Sequence, residues 1–203
     1  EALASGAALV EWPQKAGGRL PASAVWIELS GTGEGREVAI SGGGAAFDRV
    51  ARTLAIRAFL TASGRGEARR RRFSDDASAR SYEIVSAPGE PDLVLMNAPR
   101  LVLGPPVKHG KAYAEIAHTA QTVRPFIAID HALRERGVCA PEIVAADAEA
   151  GFLLLEHLGD GSFLDGQGRP VSERYAAAGA RLAELHRRPW YRRIVAPGGI
   201  AHG

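Results

Sequence analysis

"RRRRFSDDASARSYEIV", residues 69–85, opens on four consecutive arginines, and its reading decides how the rest of the chain is read. One reading is a basic arm for a polyanion. The other is a strand that turns at the Ser- and Asp-rich stretch from Ser74 to Arg80 and returns through Tyr82, Ile84 and Val85. A nucleic-acid surface calls for aromatic residues interleaved with the basic ones and for a second basic patch. Neither accompanies residues 69–72. In a strand, side chains alternate between faces, so two of the arginines face solvent while the long stems of the others cover apolar surface. Small polar residues suit the turn between the two strands, because Asp and Ser side chains bond to nearby backbone N–H groups.

Composition supports an ordinary folded domain. The 203 residues are 46% hydrophobic and 24% charged, enough for one good core or two small ones. A formal net charge of +2 supplies no strong field toward DNA or an anionic membrane. The single cysteine, Cys139, allows no intramolecular disulfide and no cysteine zinc cluster, which fits a cytoplasmic setting. The histidines show no metal-ligand spacing. No apolar run approaches the ~18 residues of a membrane span. The start, "EALASGAALVEW", has no basic region of the signal-peptide kind and no initiating methionine, so the chain reads as a piece of a longer protein.

Outward from residues 69–85, the pattern predicts two regions. Residues 7–41 read as β: a short apolar run "AALVEW", then "AVWIELSG" and "REVAISG" joined by the glycine-rich "GTGEG" as a hairpin. The glycines at 42–44 mark a boundary. Beyond them Phe47, Val50 and Leu54 recur at helical spacing, and Gly64 follows the end. "PDLVLMNAP" (91–99) reads as a third strand after 69–85, "RLVLGPPVKHGKA" as a loop, and 112–121 as a short helix. A helix over 125–136 has Pro125 at its first position, a stripe of Phe126, Ile129 and Leu133, and Gly137 past its end. "PEIVAAD" and "GFLLLEHLG" read as a strand pair turned at "AEAG". A last helix, 172–187, carries Tyr175, Ala178, Leu182 and Leu185 on one stripe, with Ser172 as its N-cap.

"SDDASARSYEIV", "LVLMNAP", "VRPFIAIDHALRERGVCAPEIVAAD" and "GFLLLEHLGD", in this order over residues 46–190, resemble the small lobe of the aminoglycoside phosphotransferase superfamily, in particular its branch that phosphorylates bacterial cell-wall sugars. "ALVEWPQKAGGRLP" with "WIELSGTGEGREVAISG" is similar to the carboxyl end of TsaE, the ATPase subunit of the tRNA threonylcarbamoyladenosine machinery, which is fused ahead of such a kinase in some alphaproteobacterial proteins. The resemblances imply an α+β fold. Residues 1–44 would be the end of a TsaE-like domain, a small β remnant. Residues 45–203 would be a protein-kinase-like amino-terminal lobe, a five-stranded antiparallel sheet with helices, and the start of the second lobe.

They also imply site residues. In the turn, Ser74, Ala77 and Ser78 are small enough to let backbone N–H groups approach phosphate oxygens. The family's Gly-Asp-Ala-Ser core reads "DDAS" here, without the glycine, and an ordinary hairpin turn is the plain alternative. Met96 occupies the position where most kinases carry the lysine that holds the phosphates, a departure shared with the cell-wall-sugar branch. Positive charge would then come from Lys111 and Arg124, with Lys108 as a further candidate. The Glu156 carbonyl and Leu158 amide would face the adenine edge in a hinge. Glu11, after an apolar run, would be a magnesium-directed carboxylate in the TsaE-like part, or simply a strand-end glutamate. The cofactors implied are ATP and Mg2+; the partners are a sugar acceptor and TsaD- and TsaB-type proteins, with no DNA and no membrane.

Two patterns are rejected on chemical grounds. "GPPVKHGKA" (104–112) is no phosphate loop, because its prolines lack the N–H donors such a loop supplies, and alanine follows the lysine. Nor is there a Gly-x-Ser-x-Gly elbow. Asn97 is the only asparagine, so the family's catalytic loop with its downstream asparagine does not lie within these residues. The expectation is the ATP-binding lobe of a phosphotransferase that is inactive alone. The alternative is a non-catalytic module of the tRNA-modification machinery.

Overall fold

Strand-forming runs that alternate in the first forty residues become fully apolar between 84 and 155, and the two halves fold differently for that reason. A computed structural model of the chain describes residues 8–32, 35–74, 80–187, 189, 194–196 and 200–202. It divides into two units, Glu1–Ala58 and Phe59–Gly203.

In the first unit, β1 (Trp26–Ser30) pairs antiparallel with β2 (Glu37–Ser41), from Trp26 opposite Ser41 to Ser30 opposite Glu37. The expected hairpin therefore forms. The expected strand at 7–12 does not: residues 8–10 have no regular structure, Leu9 is 89% exposed, and a short 3-10 turn, Pro13–Ala16, follows. β1 and β2 take each other's ladder bonds, and residues 8–10 join neither edge. Glu11 is an exposed bend residue rather than the end of a buried strand. α1 (Gly44–Ala62) begins in this unit. Phe47 and Val50 are half-buried, whereas Leu54 is exposed and the fully covered positions are Ile56 and Leu60. Gly64, at φ +74°, ends the helix, and Arg65 N–H closes back on Leu60 O at 2.7 Å.

The second unit is built on one sheet. β3 (Arg69–Ser74), β4 (Ser81–Ser86) and β5 (Leu93–Asn97) are joined by β9 (Phe152–Glu156) and β8 (Ile143–Asp147) in the order β3-β4-β5-β9-β8, every neighbour antiparallel. Segments 69–74, 81–86, 93–97, 143–147 and 152–156 thus make a single layer, as the sequence leads one to expect. The resulting architecture is α+β. One sheet face carries Ile84, Val94, Met96, Leu153 and Leu155 against Val123, Ile127 and Ala128 of α3 (Arg124–Glu135) and its entry. On another part of the core Phe59 stacks on Phe152 at 5.5 Å between ring centres. Leu95 and Leu154, which alternate with the α3-facing residues, are fully buried too. Covering both faces explains why β5 and β9 are continuous apolar runs.

Between β5 and α3 the expected loop holds a small hairpin, β6 (Pro106–Lys108) with β7 (Lys111–Ala112), then a single turn, α2 (Tyr113–Ile116), shorter than the expected helix. His109 and Gly110, both at positive φ, make the hairpin turn. α3 starts with proline in its first turn and ends before Gly137, as expected. Its buried side is offset, however. Val123 and Ile127 face the sheet and half-buried Phe126 packs against the same core, while Ile129 is 48% exposed, so only part of the Phe126–Ile129–Leu133 stripe meets it. α4 (Ser172–Arg187) forms where predicted, with no buried residue along it. A last pair, β10 (Ile194–Ala196) and β11 (Ile200–His202), is antiparallel.

Candidate nucleotide-binding lobe

β4 carries Tyr82, Ile84 and Val85, strand formers that hold β3 beside it, and the turn between the two strands is where the anion-binding reading lies. Ala77 and Ser78 lie outside the described residues, as does the side chain of Ser74. The strands beside the turn are described. Arg70 makes a forked pair with Glu83, Nε–Oε2 at 2.6 Å and Nη2–Oε1 at 3.1 Å, half-buried on both sides. Arg69, Arg71 and Arg72 are exposed, so three arginines rather than two reach solvent. A polar recess of about 480 Å³ lies against these strands, lined by Arg70, Arg72, Ser81, Tyr82 and Glu83. Asn97 closes the turn end of β5 by donating from Nδ2 to Ser81 Oγ at 3.1 Å.

Met96 is fully buried in the core under α3, opposite Tyr82 on β4 and Leu153 on β9. Its position is that of a packing residue, and an apolar side chain is what the site demands: a lysine there would need a partner for its charge. Arg124, the first residue of α3, is ion-paired through Nη2 to Glu149 in the β8–β9 turn. That pairing offsets the poor match of a cation with the positive end of a helix dipole. Lys111 projects from the β6–β7 hairpin and is exposed, opposite Lys108. Arg124 is thus already paired, and Lys111 is open to solvent.

The hinge candidates follow β9. Glu156 N–H donates to Glu142 O at 2.8 Å, and Glu156 Oε2 accepts from Glu142 N–H at 3.1 Å, which holds the end of the strand. Leu158 is 56% exposed, and among the described residues its N–H has no partner. His157 Nδ1 accepts from Gly159 N–H at 3.2 Å, and the His157 ring meets Phe73 of β3 edge-on at 5.6 Å. Leu158 lies two residues past the end of β9, on an exposed stretch open to solvent. Among the described residues no group of three acidic, histidine or cysteine side chains could hold a metal ion.

The chain matches the phosphotransferase enzyme family over residues 69–195, which begins at β3 and takes in the whole five-stranded sheet. The chain belongs to that family. It is also 34% identical over 149 residues to an N-acetylmuramate/N-acetylglucosamine kinase of Caulobacter vibrioides, covering 68% of this chain and 41% of that protein. A kinase of the same description from Pseudomonas putida is 39% identical over 92 residues, 45% of this chain and 22% of the relative. The chain therefore spans less than half the length of these relatives. Among the described residues no helix is long and apolar enough to cross a membrane. Two residues were not singled out by the sequence: Asp130, buried on α3, and Arg72, which lines the polar recess.

Proposed function

We propose that this chain is the ATP-binding lobe of a phosphotransferase that moves the γ-phosphate of ATP to a hydroxyl of an N-acetylated amino sugar. The observation that carries the reading is the antiparallel order β3-β4-β5-β9-β8 with α3 against it and a free Leu158 amide just past β9. In this reading Leu158 N–H and Glu156 C=O meet the adenine edge, and the backbone around Ser74, Ala77 and Ser78 approaches the phosphates. Lys111 and Arg124 supply the charge that Met96 does not. ATP is the donor, and magnesium is its usual counter-ion. The kinase activity of the two relatives supports the acceptor class.

Saturation-transfer NMR with ATP tests the lobe. Transfer to adenine H2 and H8 that disappears in Leu158→Pro, which lacks the N–H, is expected; transfer equal in both proteins sinks the hinge assignment. Phosphate transfer to N-acetylmuramate and N-acetylglucosamine, followed by 31P NMR on the native protein purified from cells, tests the reaction.

One observation favours a second reading, a docking module for TsaD- and TsaB-type proteins. The β1–β2 hairpin exposes Trp26, Ile27, Leu29 and Val38, and it lies outside the residues matched to the kinase family. Co-purification of those proteins with the intact chain, lost on deletion of residues 1–42, is its expected result.

A further inference from the structure

α3 has a second apolar side, and a cavity lies along it. Phe126, which also packs on the core, lines with Ile129 and Leu133 a cleft of about 250 Å³, closed by Ala140 and Pro141 of the segment leading to β8. Arg80, at the start of β4, is at its edge. The wall is held in place by Arg134, whose Nη1 donates to Ala140 O at 2.9 Å. Into this cleft the helix brings one carboxylate. Asp130 is 4% exposed, and its Oδ1 is buried with no hydrogen-bond partner. Burial pushes the Asp130 carboxyl above the usual carboxylate range, against the opposing pull of Arg134 and His131.

A buried acceptor without a donor is costly, and folded proteins keep few of them. An apolar cleft of this size that retains one is shaped for a ligand supplying the missing donor. An engineered apolar cavity of about 150 Å³ holds one benzene, so 250 Å³ corresponds to about ten non-hydrogen atoms. That is the size of a fused bicyclic ring, too small for a peptide segment or for a nucleotide.

We propose that the cleft between α3 and the segment 140–141 is a binding site for a small planar aromatic molecule carrying a single N–H or O–H donor, which hydrogen-bonds to Asp130 Oδ1. The cleft borders the turn assigned to the phosphates, through Arg80, and Arg124, through Pro125, but the hydrogen bond to Asp130 does not depend on that assignment.

Indole, with nine non-hydrogen atoms and one N–H, is the probe, and 1-methylindole, which fills the same space without the donor, is the control. Both are titrated into the 203-residue chain at pH 7 and followed by 1H–15N correlation spectra. Saturable shifts at residues 126–133 and 140 are expected, with indole bound about tenfold more tightly, the worth of one buried hydrogen bond. In Asp130→Leu the preference should vanish, while 1-methylindole binds as well or better. In Ile129→Trp, a change at a half-exposed wall position that leaves the sheet contact alone, both ligands should be excluded. No saturable binding, equal affinity of the two ligands in the unmodified chain, or shifts confined to other residues would overturn the proposal.

Discussion

Ala98 N–H donates to Gly151 O at 2.9 Å, and the two residues are so close that a Cβ on Gly151 would overlap the Ala98 carbonyl oxygen. Gly151 also sits at φ +75° and donates its own N–H to Asp147 O at 2.8 Å. This contact locks the β8–β9 turn to the end of β5 and so fixes the register of β9, the strand that leads to the hinge. Gly151→Ala should cost at least about 2 kcal/mol, left-handed strain plus the overlap. Gly64→Ala, at φ +74° with nothing near its Cβ position, should cost only about 1 kcal/mol. Urea denaturation of both variants checks the difference.

Phe152 is 1% exposed and stacked on Phe59. Truncating it opens a cavity in the middle of the sheet's packing, and Phe152→Ala should lose about 3–5 kcal/mol. Chemical denaturation at 25 °C measures it. A loss below 1 kcal/mol would mean that the stack contributes little to the core.

Asp130 gives a stability effect with a definite pH sign. Its folded-state carboxyl titrates above the unfolded value, chiefly through desolvation. The folded form therefore holds the proton more tightly, and the group's contribution is most favourable below the unfolded pKa and is lost as pH rises through the folded one. Asp130→Asn, a neutral mimic, should match the parent chain near pH 4 and become more stable than it toward pH 7. Removing the unmatched acceptor altogether, as Asp130→Leu, should stabilise by about 1 kcal/mol at pH 7. Thermal unfolding between pH 4 and pH 7.5 reads both; an advantage that shrinks with rising pH contradicts the assignment.

The forked Arg70–Glu83 pair spans neighbouring strands beside the proposed phosphate turn. Being half-buried and bidentate, it should reach the upper end of the range for such pairs, about 1 kcal/mol in a double-mutant cycle of Arg70→Ala and Glu83→Ala. Arg69→Ala, at an exposed position of the same strand, should stay within about 0.5 kcal/mol of the parent.

How much of this could be read from residues alone depended on how local the cause was. "LVLMN" and "FLLLE" are buried on both faces and carry the strand signal in their composition, so their place in one sheet was legible. The Pro125 start and Gly137 stop of α3 are local chemistry and were legible as well. Which side of α3 meets the sheet was not. Periodicity singles out Phe126, Ile129 and Leu133, but small residues at 128 and 132 and the entry residue Val123 decide the approach, and that is a tertiary matter. The same shift concealed Asp130, since its burial follows from a cleft that only the assembled segment 138–141 creates. "AALVEW" failed for the opposite reason: its strand pattern is good, and no neighbouring strand takes it up. In the candidate site, the free Leu158 amide follows from where β9 ends, whereas the sealing of Met96 depends on α3.

β3 ends the sheet on one side, and its outward ladder would accept another chain. Were two copies to meet there antiparallel, the exposed Arg69, Arg71 and Arg72 of one would lie along those of the other. Like charges directly opposite are destabilising, so this edge disfavours pairing with its own image. Salt weakens that protection, because it shortens the reach of the repulsion.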